Sequence, residues 1–290
     1  MLRNRLPREV RRGFTLIELL VVIAIIAVLV GLTSAAVLRV LFKGPEIQTQ
    51  SEIQQLAAAI SAFKQEFGVK TMPSRIVLRE DMNYNSADPL EADSRAYLGM
   101  MFGRRLGAPI NWSGRADFAP ANANRVYQLR GEHCLVFFLG GLQDPAVNAV
   151  RGFSTSPINP MDPSGTRRGP FFDFKTNRLQ RDSSANGFFV YLDAFNPPIT
   201  AGRKPYVYFS DYSTNVYIKY GGPDTFRPVA PYQLSPNKFV NPGGFQIISA
   251  GADGLFGNPA SWNPTTGTSD SNGRDDFANF SRRRLGAPQE

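Results

Sequence analysis

Cysteine is nearly absent from this 290-residue chain. With Cys134 alone, no disulfide can form within it, and the fold must hold by burial and hydrogen bonding. Cys134 adjoins the apolar run 135–139, which marks it as a small buried hydrophobe rather than a reactive thiol. There is also one histidine, His133, directly beside that cysteine. Neighbouring side chains diverge on a strand and stand about 100° apart on a helix, so the two make a poor Cys–His dyad. No glycine-rich phosphate loop, zinc-ligand spacing or nucleophile elbow occurs, and no spacing singles out a catalytic carboxylate pair. An enzyme is therefore not expected.

Charge is also sparse, at 19% of residues, with a formal net value of +8. Half of that excess lies in residues 1–13, where Arg3, Arg5, Arg8, Arg11 and Arg12 face only Glu9. The remainder carries an ordinary surface charge, so nucleic acid is not an expected partner. What the chain does have is 42% hydrophobic residues, including 22 Phe and 10 Tyr, enough for a real core. Its 26 glycines and 22 prolines predict many loops and short elements. Apolar residues recur along the whole length, which argues against long disorder.

Residues 14–38 form an apolar run of 25 residues with one charge, Glu18. As a helix the run would reach about 37 Å, enough to cross a bilayer core of about 30 Å. It is too long for the apolar core of a secretory signal peptide. The arginines before it, with only Arg39 and Lys43 shortly after, place the N-terminus in the cytoplasm and the bulk outside. A plain anchor leaves Glu18 unexplained, because a carboxylate in lipid costs a few kcal/mol. Cleavage after Gly13 would supply a partner: Phe14 would then carry a free ammonium able to meet Glu18 of a neighbouring subunit. An ion pair where solvent is scarce favours one register over others.

The stretch Arg11-Arg12-Gly13-Phe14-Thr15-Leu16-Ile17-Glu18 resembles the prepilin leader and N-terminus of type IV pilins and type II secretion pseudopilins. The resemblance implies a prepilin peptidase that cuts between Gly13 and Phe14 and methylates the new amine. It also implies that Glu18, fifth after the cut, is the assembly glutamate.

Beyond Gly44-Pro45, where a kink or short break is expected, Ile53, Leu56, Ile60, Phe63 and Phe67 recur at helical spacing. They predict an amphipathic stem helix over 46–68, stopped by Gly68. If continuous from residue 14, the helix would reach about 80 Å. The segment "LAAAISAFKQEFGVKTMPS" resembles the pseudopilin junction between stem and head.

In the remaining chain, residues 71–130 read mostly as turns, with short apolar pieces such as 97–103. Residues 132–142 predict a short helix, and 151–205 a long irregular insertion pinned by Phe171, Phe172, Phe174, Phe188 and Phe189. Strand signals follow at 206–210, 215–220 and 245–250, the first two separated by a hairpin-length connection. They predict a late antiparallel sheet against which the stem packs. The C-terminal Arg282, Arg283 and Arg284 read as a solvated tail.

The segments "SAGADGLFG" (249–257) and "SNGRDDFANFS" (271–281) place Asp253, Asp275 and Asp276 on glycine-rich loops. Such carboxylates suit Ca²⁺, although Asp-Gly is equally a turn signal and the EF-hand spacing fails. The combination ISAGADG…DDF resembles the C-terminal loop of major type II secretion pseudopilins. That resemblance implies calcium held by Asp253 and Asp276, with Asp275 adjacent. The intervening spacer is longer than usual in that family.

The expected fold class is therefore α+β. A leader (1–13) precedes an assembly and membrane half-helix (14–43), an amphipathic stem (44–68) and a head (69–290). The expected function is that of a structural subunit, a pseudopilin closest to the major kind, polymerising into a helical fibre for protein export. Its expected partners are the inner membrane, the prepilin peptidase, other pseudopilins and the secretion platform. A type IV minor pilin acting in adhesion or DNA uptake is the alternative.

Overall fold

The computed structural model describes residues 15–183, 187–197, 202–211, 217, 229–257 and 262–287, with the side chains of 34–42 left out. The chain divides into two compact units, Met1–Pro45 and Glu46–Glu290.

The first described element is helix α1, Leu16–Phe67. Leu, Ile, Val and Ala follow one another here without a turn residue. In an apolar medium a helix satisfies all of its own backbone groups, so β-branched residues do not divert it to strand. The expected break at Gly44-Pro45 is not seen, and α1 runs on through Pro45. Proline removes one donor and crowds the preceding turn, a local loss that long bonded stretches on either side absorb.

In the second unit, Ile53, Leu56, Ile60, Phe63 and Phe67 of α1 are all buried in the main core, as their spacing predicts. Gly68 ends the helix with φ +64°. Val69 N–H reaches back to Lys64 O at 3.1 Å and Gly68 N–H to Gln65 O at 3.4 Å, the two bonds of a Schellman motif.

Strand β1 (Ile76–Arg79) leads to α2 (Pro89–Phe102), a helix the sequence reading missed. Asp88 caps it, accepting from Leu90 N at 2.8 Å and Glu91 N at 3.2 Å, and Pro89 occupies its first turn. Leu90, Ser94, Leu98 and Met101 form its buried stripe against β1. Strand β2 (Val126–Leu129) pairs antiparallel with β1, matching Ile76 to Leu129.

Helix α3 (Gly131–Gly140) is buried along its whole length, Cys134 included. The expected irregular insertion contains a short antiparallel pair, Phe153–Ser154 with Arg167–Arg168, and a longer one, β3 (Leu179–Asp182) with β4 (Phe188–Tyr191). Phe172, Phe174, Phe188 and Phe189 are buried and Phe171 packs at the core edge. The late sheet holds β5 (Val207–Ser210), β6 (Phe245–Ser249) and β7 (Phe277–Ala278) in the order β7-β6-β5, all antiparallel. The hairpin expected at 215–220 lies outside the described residues, apart from a buried Tyr217.

Helix α3 packs against β4 and β5. The stem meets α3 through Phe63 and Phe138, 5.4 Å between ring centroids, and the loops through Phe153 and Phe171. Arg282, Arg283 and Arg284 are exposed as expected, but the segment is tied down: Leu285 is fully buried, and Arg284 pairs with Glu46 at 3.0 Å. The whole is an α+β fold, an apolar N-terminal helix followed by further helices and antiparallel strands, consistent with a pilin-like fold.

Candidate functional site

Glu18 lies in the first turn of α1, and Thr15 precedes that turn. The Glu18 Oε2 accepts from Thr15 N–H at 2.8 Å and from Thr15 Oγ1–H at 2.7 Å. Thr15 Oγ1 in turn accepts from Glu18 N–H at 3.3 Å. This is a capping box: the helix start satisfies its own orphan donors with its own carboxylate. The signal for Thr15 was present in the sequence as Thr-x-x-Glu before an apolar run. Among the described residues, Oε1 of Glu18 accepts no hydrogen bond. Gly13 and Phe14 lie outside the described residues.

From Leu16 to Thr33 the mean hydropathy is 2.9, and none of this stretch is buried. Leu16 is 81% exposed and Leu32 71%. A surface apolar on every side needs lipid or other protein to cover it. Its one hydroxyl near the far end, Thr33 Oγ1, donates back to Leu29 O at 2.9 Å. No polar group there asks for water.

The second candidate is the loop after β6. Gly251 has φ +64°, and a Cβ there would lie 2.2 Å from Asp275 O, so only glycine fits. This close approach lets Asp275 Oδ2 accept from Ala252 N at 2.6 Å and from Asp253 N at 2.9 Å. Asp253 Oδ1 accepts from Leu255 N at 2.7 Å. Asp276 faces elsewhere: its Oδ2 accepts from Tyr232 O–H at 2.7 Å and Gly257 N at 3.0 Å. Its Oδ1 is buried with no partner among the described residues.

Burial, with lesser contributions from the charges of Asp275 and Asp253, pushes Asp276 up to about 8. Burial and the charges of Asp275 and Asp270 also raise Asp253. The structure thus brings Asp275 to the Asp253 backbone but turns Asp276 towards Tyr232. Among the described residues, no three His, Cys, Asp or Glu side chains are grouped to hold a metal ion. The three predicted carboxylates act here as acceptors for loop N–H groups. Asp253 Oδ2, Asp275 Oδ1 and the buried Asp276 Oδ1 take no part in these bonds.

The sequence reading also missed a buried ion pair. Glu52 of α1 takes two bonds from Arg178, whose Nε and Nη2 also donate to Leu192 O. Nothing local signals it, because the partners lie 126 residues apart.

A self-capped helix start followed by an exposed apolar span and an α+β unit fits a membrane-anchored pilin-type protein. Residues 10–34 match the family model described as the prokaryotic N-terminal methylation motif. That match supports a type IV pilin-like protein of the prepilin type. The motif implies processing by a prepilin peptidase and pilus-type assembly. Such proteins are structural rather than enzymatic. No curated protein and no solved structure matches the chain.

Proposed function

We propose that this chain is a pseudopilin of a type II secretion-type fibre, inserted in the inner membrane with its N-terminus in the cytoplasm. It is cut between Gly13 and Phe14, methylated, and polymerised through α1. The observation that carries this is Glu18, a carboxylate kept at the start of an exposed apolar span inside the methylation motif. Its capping bonds use Oε2, which leaves Oε1 for the Phe14 ammonium of an adjacent subunit. In this arrangement one side chain both closes its own helix and sets the stagger of the next.

Calcium at Asp253, Asp275 and Asp276 is part of the same proposal. It is supported by the orphaned Oδ1 of Asp276 and by the raised Asp276 and Asp253, which burial, with a lesser contribution from neighbouring acids, holds towards their neutral forms. A divalent ion would relieve both.

Replacing Glu18→Ala tests the assembly role. The variant should still insert in the membrane, yet be excluded from fibres. Normal polymerisation would remove the pairing. Long surface fibres containing the chain would instead assign it to the type IV minor pilins.

A further inference from the structure

We propose that the cleft beside α2 docks an acidic peptide segment of a partner protein, one that also presents an apolar side chain. The cleft holds about 640 Å³ between the outer face of α2 and the flanking segments 82–86 and 103–106. Its apolar lining comes from Met82, Tyr84, Met100 and Leu106. Met100 is 65% exposed, although the neighbouring Met101 is buried in the core. Methionine is unbranched and polarizable, and it suits surfaces that receive varied apolar side chains.

Two guanidinium groups, Arg95 and Arg104, complete the lining, and it includes no carboxylate among the described residues. Neither arginine has an ion pair or hydrogen bond with a described residue, whereas nearby Arg79 is held by both Asp81 and Glu91. Two free forks beside an apolar floor match carboxylates that flank an apolar side chain. A nucleic acid fits less well, because the one aromatic ring of the lining, Tyr84, is buried and offers no stacking face.

Gly99 gives an independent observation. It sits inside α2 and lines the cleft, and a Cβ there would meet nothing within 4 Å. Glycine costs helix stability, and no packing contact requires it here. Its bare backbone leaves the cleft open.

The surface does not depend on the fibre reading, and it is testable on the full chain in detergent micelles. The probe is a fluorescein-labelled peptide of two leucines flanked by glutamates, with empty micelles as background. We expect saturable binding, weakened at least tenfold when glutamines replace the glutamates. The double variant Arg95→Gln, Arg104→Gln should lose at least tenfold. Gly99→Leu should do the same by filling the cleft, with a melting midpoint no lower than that of the parent. The proposal is overturned by no saturation up to about 1 mM, or by equal binding of the glutamine-flanked peptide. It is equally overturned by unchanged affinity in both variants, or by a DNA duplex binding in place of the peptide.

Discussion

Arg178 grips Glu52 through both terminal nitrogens, at 2.5 and 2.6 Å, with Tyr206 O–H adding a third bond at 2.9 Å. Glu52 belongs to α1, and Arg178 directly precedes β3, so this pair ties the stem to the strands. Burial alone would raise the Glu52 carboxyl. The bonds from Arg178, Gln48 and Tyr206 outweigh it and hold the group below its ordinary range. Both side chains are almost wholly buried. Glu52→Gln or Arg178→Met should each cost about 3–5 kcal/mol, because each takes from a buried charge its main counter-charge, the exposed Lys175 at 3.4 Å being Glu52's other cation. Replacing both with apolar residues should recover much of that loss. Urea unfolding of the single and double variants measures both effects. Additive losses would show that the pair does not act as a unit.

The acid range carries a second prediction. Asp193 is buried, and burial pushes it up to about 6, although Ser249 Oγ–H and Phe195 N–H donate to it and Arg178 and Arg203 lie near. In the unfolded chain the group titrates near its ordinary value of about 4. Between these values the folded state holds the proton and the unfolded state does not. Stability therefore falls as pH rises through that window. Subtracting the denaturant midpoints of Asp193→Asn from those of the parent should isolate this slope. A difference that stays flat with pH would contradict it.

Phe63 gives a third. Its ring is fully buried and meets Phe67, Phe138 and Phe171 within 5.0–5.6 Å. Phe63→Ala should cost about 3–5 kcal/mol. Gln54, exposed on the other side of the stem, should tolerate Ala at almost no cost. Thermal melts of the two variants compare them directly.

The stem was legible because its apolar residues repeat every third or fourth position over about four turns. Gly68 was legible because a helix end demands a left-handed residue. Helix α2 was not read, although Asp88-Pro89 and the spacing of Leu90, Leu98 and Met101 were there. Ser94 sits on its buried face and Gly99 on its open one, and both blur the stripe. Strands of two residues, such as β7, are too short to show any alternation. The Asp loop was recognised by composition, but composition cannot say which way a carboxylate turns. Asp275 faces back to the Asp253 backbone and Asp276 faces Tyr232 because Gly251 admits Asp275 so closely.

Calcium addition tests that loop. An ion that binds only the folded state adds about 2.7 kcal/mol at a hundredfold excess over its Kd. The melting midpoint should rise with calcium and fall with chelator, and Asp276→Asn should abolish the difference. Identical midpoints for the parent chain would remove calcium from the account.

The central claim is that Glu18 tolerates an apolar setting because a cut after Gly13 creates a counter-charge for it. Intact-mass and N-terminal fragment spectra of the chain purified from its native membrane test this most directly. The account predicts a polypeptide beginning at Phe14, with a methyl group on its amine. A chain that still begins at Met1, with residues 1–13 attached, would contradict it.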